Sequence, residues 1–143
     1  MIALEAGYTL SDHVDAMQIT AIHAYLTRSY WSTGISVETV ARAIKNSVCV
    51  GVFKNGVQVG FSRVITDCAT FAYLADVYVL EEHRGHGLSV AMGAHLQAHP
   101  DLQGLRRWML ATSDAHAVYA KLGWTQISDP RPFMQRHFPD VYK

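Results

Sequence analysis

No charge of one sign prevails in this sequence: twelve basic and twelve acidic side chains cancel to a formal net charge of zero with histidines neutral. Without a basic excess there is no long-range field to gather phosphate backbones or anionic lipid, so neither nucleic acid nor a membrane is an expected partner. Cysteine is scarce as well. Cys49 and Cys68, the only two, fall in segments that read as strands and lack the spacing of a metal knuckle. They are expected to be small buried hydrophobes in a reducing compartment. No apolar run reaches the ~20 residues a membrane span needs. The start "MIALEAGYTLSDHVD" lacks a basic stretch followed by an apolar one, so a soluble, cytoplasmic protein is expected. Repeats, low-complexity tracts and linkers are also missing, and a chain of 143 residues that is 50% apolar fits one domain over 1–143.

What is present reads as alternating helical and extended segments. Ser11 or Asp12 can cap a helix with the apolar stripe Val14, Met17, Ala21, Ile22 and Tyr25. After the aromatic loop "RSYWSTG", Ser36 can cap a second helix, with Glu38 in its first turn and Val37, Val40, Ala41 and Ile44 on one face. The period then changes to two. "SVCVGVFKNGVQVGFSRVI" reads as two strands joined at Asn55–Gly56, because both central residues of a type I′ turn need positive φ. "FAYLADVYVL" is apolar on both faces and reads as a central strand with both sides covered.

Leu88, Ala91, Met92, His95, Leu96 and His99 then mark a helix that stops at Pro100. "RRWMLAT" reads as a short strand, Ser113 or Asp114 as the cap of a last helix, Gly123 as its terminator, and Trp124 to Ile127 as a final strand. The sum is a mixed sheet with helices on its faces.

Between the central strand and the third helix stands "EEHRGHGLS". Strand, glycine turn and helix in that order aim unpaired backbone N–H groups and the positive end of a helix dipole at one point, which suits phosphate. Gly85 and Gly87 let the main chain come close to an anion, and Arg84 adds charge. A plain tight turn is the alternative, since GxG is short and common. There is no GxxxxGK followed by Ser or Thr, and no third glycine to complete GxGxxG. A P-loop and a dinucleotide fold are thereby disfavoured.

"VYVLEEHRGHGLS" together with the later "DAHAVYAKLGW" resembles the acyl-CoA-binding signature of the GCN5-related N-acetyltransferases, the GNAT family. The likeness covers most of the chain, because the element order agrees as well. It implies an α/β (α+β) fold with a mixed, mostly antiparallel twisted sheet of roughly six to seven strands, flanked by about four helices and splayed at the acyl-CoA site. It also implies that the main-chain amides of Arg84, Gly85, His86, Gly87, Leu88 and Ser89 hold the pyrophosphate of coenzyme A. The backbone of Val77 and Val79 would pair with the pantetheine arm, beside a bulge near Asp76. Tyr119 falls on the family's tyrosine near the thioester sulfur, where a phenol can protonate the leaving thiolate. Two positions depart from the pattern: Glu82 stands where the family has Gln or Arg, and Thr112 where it often has Asn. The family often pairs subunits, which leaves a homodimer open.

Acetyl transfer from acetyl-CoA to the primary amine of a small molecule or peptide then needs a proton acceptor. Asp76, an acid in an apolar strand, is the leading candidate, and its alternative role is to accept backbone N–H bonds at the bulge. Tyr73 could carry a water relay instead. Tyr119 lies on the apolar stripe of Ala115, Val118 and Leu122, so periodicity alone makes it a core residue. His116 reads as a surface residue beside it. Tyr25, Tyr30 and Trp31 are expected to border the acceptor, with "PRPFMQRHF" across from them. A loop Trp can equally cover the core.

His95 and His99 have a metal-pair spacing, but no third ligand is identifiable, and no metal is expected. His83 and His86 are expected to add donors near the phosphate. Neither cysteine has a neighbouring base, which favours direct attack over a thiol-bound intermediate. A non-catalytic acyl-CoA-binding sensor or scaffold is the competing reading.

Overall fold

The computed structural model describes residues 4–143, so of the single domain expected over 1–143, residues 1–3 lie outside the described residues. One five-stranded sheet organises the chain in the order β1 (Tyr8–Ser11), β2 (Val48–Lys54), β3 (Val57–Thr66), β4 (Phe71–Val79) and β5 (Arg107–Met109). The first four run antiparallel, and β5 joins β4 in parallel.

On one face lie α1 (Ile19–Leu26) and α2 (Val37–Lys45), on the other α3 (Leu88–Gln97) and α4 (His116–Ala120). Alternation along the strands supplies a core to each layer. Val50, Val52, Leu74 and Val79 meet Leu88, Met92, Leu96 and Tyr119 on the α3 side. Phe61 and Tyr78 meet Ile22, Leu26, Val40 and Ile44 on the α1/α2 side. Each such aliphatic side chain contributes about 1.5–3 kcal/mol by leaving water. No helix among the described residues is long and apolar enough to cross a membrane.

Local chemistry explains most boundaries. The Ser36 hydroxyl accepts the Thr39 amide at 3.2 Å and starts α2 as the pattern predicts. Asn55 and Gly56 take φ of 52° and 79°, closing the β2–β3 hairpin. Three expectations are corrected. Ser11 belongs to β1, and the first helix starts only at Ile19, after a short 3-10 turn over Val14–Ala16. Neither Ser113 nor Asp114 caps α4. Its N-cap is Ala115, whose amide the Thr112 hydroxyl accepts at 3.0 Å. Cys68 is exposed in the β3–β4 turn with φ of 59°, not buried in a strand.

The sheet has five strands where six to seven are expected, because Trp124 to Ile127 form none. Gly123 (φ 91°) turns the chain out of α4, and the Trp124 amide returns to the Tyr119 carbonyl at 3.2 Å. The Trp124 indole donates to Gln97 Oε1 at 2.8 Å, so this residue is anchored on α3 instead of a strand edge. Pro130 and Pro132, without N–H groups, follow soon after.

Candidate functional site

The site forms where β4 and β5 part. Their ladder has three rungs, from Phe71 opposite Arg107 to Tyr73 opposite Met109. Beyond Tyr73, β4 runs on to Val79 while the β5 limb leads away towards Ser113. Just past the parting, β4 bulges. Arg63 faces Ala75 and Phe61 faces Tyr78, so Ser62 is opposed by both Asp76 and Val77. Asp76 takes φ of 56°, a left-handed conformation that Asp tolerates better than most residues.

The bulge resets which backbone groups face the gap. Leu80 gives its N–H to Val59 O at 2.8 Å, towards β3. By alternation Val79 and Val77 present theirs to the side that β5 has left. The Val79 carbonyl is already met there by Arg84 Nε at 3.0 Å.

At the end of β4 a 3-10 turn over Glu81–His83 leads into Arg84, and Gly85 (φ 85°) and Gly87 (φ 72°) bring the chain to the first turn of α3. Gly87 is the N-cap and offers no side-chain acceptor, so the opening amides of α3 have no partner within the helix. A Cβ at Gly85 or Gly87 would meet nothing within 4 Å. The concave backbone is therefore bare and open. Its flanking side chains turn elsewhere: Arg84 Nη2 donates to the Tyr25 hydroxyl at 3.0 Å, His83 Nδ1 meets the Tyr8 hydroxyl at 2.9 Å, and His86 Nδ1 pairs with Glu5. Of the donors expected from His83 and His86, each Nδ1 is thus engaged on the β1 side of the molecule, and Nε2 is the nitrogen left for an anion. Glu82 is exposed.

Tyr119 lies in the α3-side layer, 8% exposed, its ring at 62° to Trp124. Among the described residues its hydroxyl meets no hydrogen-bond partner. Burial pushes the Tyr119 phenol above its usual range, and the nearby Tyr30 phenol pushes it further, so the proton stays on the oxygen at neutral pH. Tyr73, flanked by Ala72 and Leu74 of the α3 side, stands on the opposite face at the last rung.

Asp76 is not the unengaged carboxylate that a general base would offer. Oδ2 accepts from Arg63 Nε at 2.6 Å, and Oδ1 accepts from the Trp31 indole at 2.8 Å. Its alternative, accepting backbone amides at the bulge, is replaced by these two side-chain donors. Tyr25 stacks on Tyr78 with ring centroids 4.1 Å apart, Trp31 tilts towards Tyr25, and the Tyr30 hydroxyl meets Ser113 Oγ at 3.1 Å. Tyr25 thus belongs to α1 and packs on β4, while Tyr30 and Trp31 of the α1–α2 loop reach Ser113 and Asp76.

Of "PRPFMQRHF", Phe133 lies under the Arg107 guanidinium at 4.9 Å, and Met134 is almost wholly exposed. His116 is exposed on α4. His95 and His99 both turn Nε2 towards Asp12 Oδ2, at 2.9 and 3.8 Å. No cluster of three or more His, Cys, Asp or Glu placed to hold a metal is found among the described residues.

Sequence reasoning missed Arg63, Ser113 and Tyr78. A guanidinium inside the β-branched run "VGFSRVI" was a usable signal for a buried ion pair, whereas Ser113 looked like a helix cap.

A bare glycine turn between a strand and a helix, beside the point where that strand leaves its parallel neighbour, is the arrangement that the sequence resemblance leads one to expect of an acyl-CoA-dependent acyltransferase. Comparison with known proteins agrees. The family model described as an acetyltransferase (GNAT) domain matches residues 45–126. A protein of Gibberella zeae ascribed to the acetyltransferases is 32% identical, over 80% of this chain and 76% of its own. A GNAT-family structure from Xanthomonas campestris pv. campestris is 48% identical with a TM-score of 0.91, covering 94% of this chain and 96% of that one. A structure from Clostridium acetobutylicum solved with acetyl-CoA shares the fold at a TM-score of 0.66 and 15% identity, covering 95% and 98%. The chain belongs to the GNAT family of acetyltransferases, and it is a transferase.

Proposed function

We propose that this enzyme moves the acetyl group of acetyl-CoA to the primary amine of a small molecule or peptide by direct attack. The observation that carries the reading is the bare backbone at Gly85 and Gly87, open above and set against the unpaired amides of α3. It suits a diphosphate, because backbone N–H groups can grip the anion without a cationic neighbour. The main chain from Arg84 to Ser89 would hold the pyrophosphate. Val77 and the Val79 amide would pair with the pantetheine arm along the open edge of β4. Bound acetyl-CoA would supply an activated acyl carbon and a thiolate leaving group.

The chain's own residues then handle protons and exclude water. Tyr119, protonated at neutral pH, holds the proton that the departing sulfur takes. Tyr73, on the acceptor-side face, can pass the amine's proton to water. Cys49 does not serve as a nucleophile: it is buried beneath α2, and burial pushes its thiol up to about 11. Cys68 sits at the far end of β4 from the cradle. Both thiols are unpaired, which supports a reducing, cytoplasmic setting. A homodimer rests on the family resemblance, and light scattering tests it.

Thiol release from acetyl-CoA with a panel of amines tests the reading. Turnover with at least one amine is expected. Tight CoA binding without turnover on any amine would favour a sensor module. Tyr119→Phe should lower kcat about 100-fold while CoA affinity by calorimetry stays within about twofold. Undiminished kcat would return Tyr119 to the core.

A further inference from the structure

The loop between α1 and α2 touches both limbs of the parted strands. Trp31 donates to Asp76, three residues beyond the last β4 rung at Tyr73, and Tyr30 meets Ser113, four residues beyond the last β5 rung at Met109. Counted from the ladder, these anchors stand at nearly the same height on opposite sides of the gap. The loop spanning them is stiff. Ser29 Oγ donates to Leu26 O at 2.7 Å and accepts the Ser32 amide at 3.1 Å, Thr33 Oγ1 donates to Ser29 O at 2.7 Å, and the Gly34 amide reaches Thr27 O at 2.9 Å. Ser29 and Ser32 are buried.

The anchor on β4 is equally well held. The Asp76 side chain is 9% exposed and that of Arg63 16%. The guanidinium is fixed in turn by Ser47 Oγ, which accepts from Nη1 at 3.0 Å. A carboxylate taken this far out of water persists because both oxygens receive donors, so removing either donor would be costly. Such a group is suited to holding another side chain in place and poorly suited to collecting a proton in each cycle.

Resting on the acetyl-transfer reading above, we propose that Asp76 is a positioning residue: held by Arg63, it latches Trp31, and with Tyr30 on Ser113 this roofs the acceptor side of the gap. The roof sets how well the amine is held. It leaves chemistry at the thioester to Tyr119 and to the proton path through Tyr73. Trp31 and Tyr30, edge-on to each other at 5.0 Å, become the acceptor's ceiling. The bulge acquires a second purpose, since it brings the Asp76 carboxylate to Trp31 and Arg63 and not to the α3 face, where strict alternation from Ala72 and Leu74 would place it.

Two variants separate this from the general-base alternative. Trp31→Phe keeps the carboxylate, the Arg63 pair and an aromatic ring between Tyr25 and Tyr30, and removes the indole N–H that makes the latch. It should raise the amine KM about tenfold or more, the worth of one hydrogen bond to a charged group, with kcat within about threefold and CoA affinity unchanged. Asp76→Asn accepts the left-handed backbone and keeps a carbonyl for Trp31 at the cost of turning its NH2 towards Arg63, and it cannot act as a carboxylate base. Its kcat should stay within about threefold of wild type, whereas loss of a base would cost 100-fold or more.

An unchanged amine KM in Trp31→Phe, or a collapse of kcat in a folded Asp76→Asn protein, overturns the proposal. An assay free of substrate keeps it separate from the function itself. The Trp31 indole proton should exchange slowly with solvent in the wild type and fast in Asp76→Gly, which retains the backbone conformation. Equal exchange in the two would refute the latch even if the transferase reading stands, and slow exchange lost in the variant would support it even if no amine is acetylated.

Discussion

At the scale of single residues, Gly85 and Gly87 are needed both for conformation and for space. Gly85 and Gly87 have positive φ, which costs any other L-residue on the order of 1–2 kcal/mol. Both also leave open the space that a ligand would occupy. Gly87→Glu combines strain, bulk and negative charge at the anion's place. It should weaken CoA binding by more than tenfold in calorimetry while circular dichroism stays native, and unaltered affinity would locate the pyrophosphate elsewhere.

This backbone feature was legible in "RGHG" because φ preference is a property of the residue itself. The directions of Arg84, His83 and His86 were not, because each answers to a partner distant in sequence: Tyr25, Tyr8 and Glu5. The same holds for Asp76. Its presence in an apolar strand marked it out, but its role depends on Arg63 and Trp31, which periodicity does not link to it.

Among the elements, the hairpin at Asn55–Gly56 and the cap at Ser36 were readable because each is decided within a few residues, by φ preference or by a short hydroxyl. The bulge near Asp76 was expected from the family resemblance alone. The final strand was not readable in this way, since a ladder needs a free edge, and Trp124 is instead tied to Gln97 of α3. The chain beyond it crosses β5 at Arg107 and ends against the α1–α2 loop.

That last contact can be tested at Gly34, which has φ of 85° and where a Cβ would lie 2.5 Å from the Tyr142 carbonyl oxygen. Since the clashing atom is backbone, relief requires the chain end or the loop to shift. The positive φ alone should cost Ala about 1–2 kcal/mol, so with the clash Gly34→Ala should cost more than about 2 kcal/mol in urea unfolding. A cost of about 1–2 kcal/mol would be backbone strain alone, and the chain end would not rest on the loop in solution.

For the molecule as a whole, the sheet separates two layers, with Tyr119 in one and the α1–α2 loop on the side of the other, and the Arg84–Tyr25 hydrogen bond ties the glycine turn to α1. The β1 edge is drawn onto the Tyr119 layer by Asp12, just past β1, through His95 of α3. The hydrogen bond from His95 is the first cause holding the Asp12 carboxyl below its ordinary value of 3.8, ahead of the charges of His95, His99 and His13. A carboxylate whose pKa is lowered by folding stabilises the fold above its unfolded value, and that stabilisation is lost as pH falls through the folded one.

Asp67, Glu81 and Asp129 are lowered too, by Thr70, Arg28 and Arg131, so the acid sensitivity of the wild type alone would not isolate this tie. The difference between wild type and Asp12→Asn does isolate it. With the pair one-third exposed and screened by solvent, wild type should be more stable by about 0.5 kcal/mol at pH 6, and the gap should close as pH drops below the carboxylate range. A gap that does not narrow as pH falls through the range of the folded carboxyl would mean that shape at this position matters and charge does not.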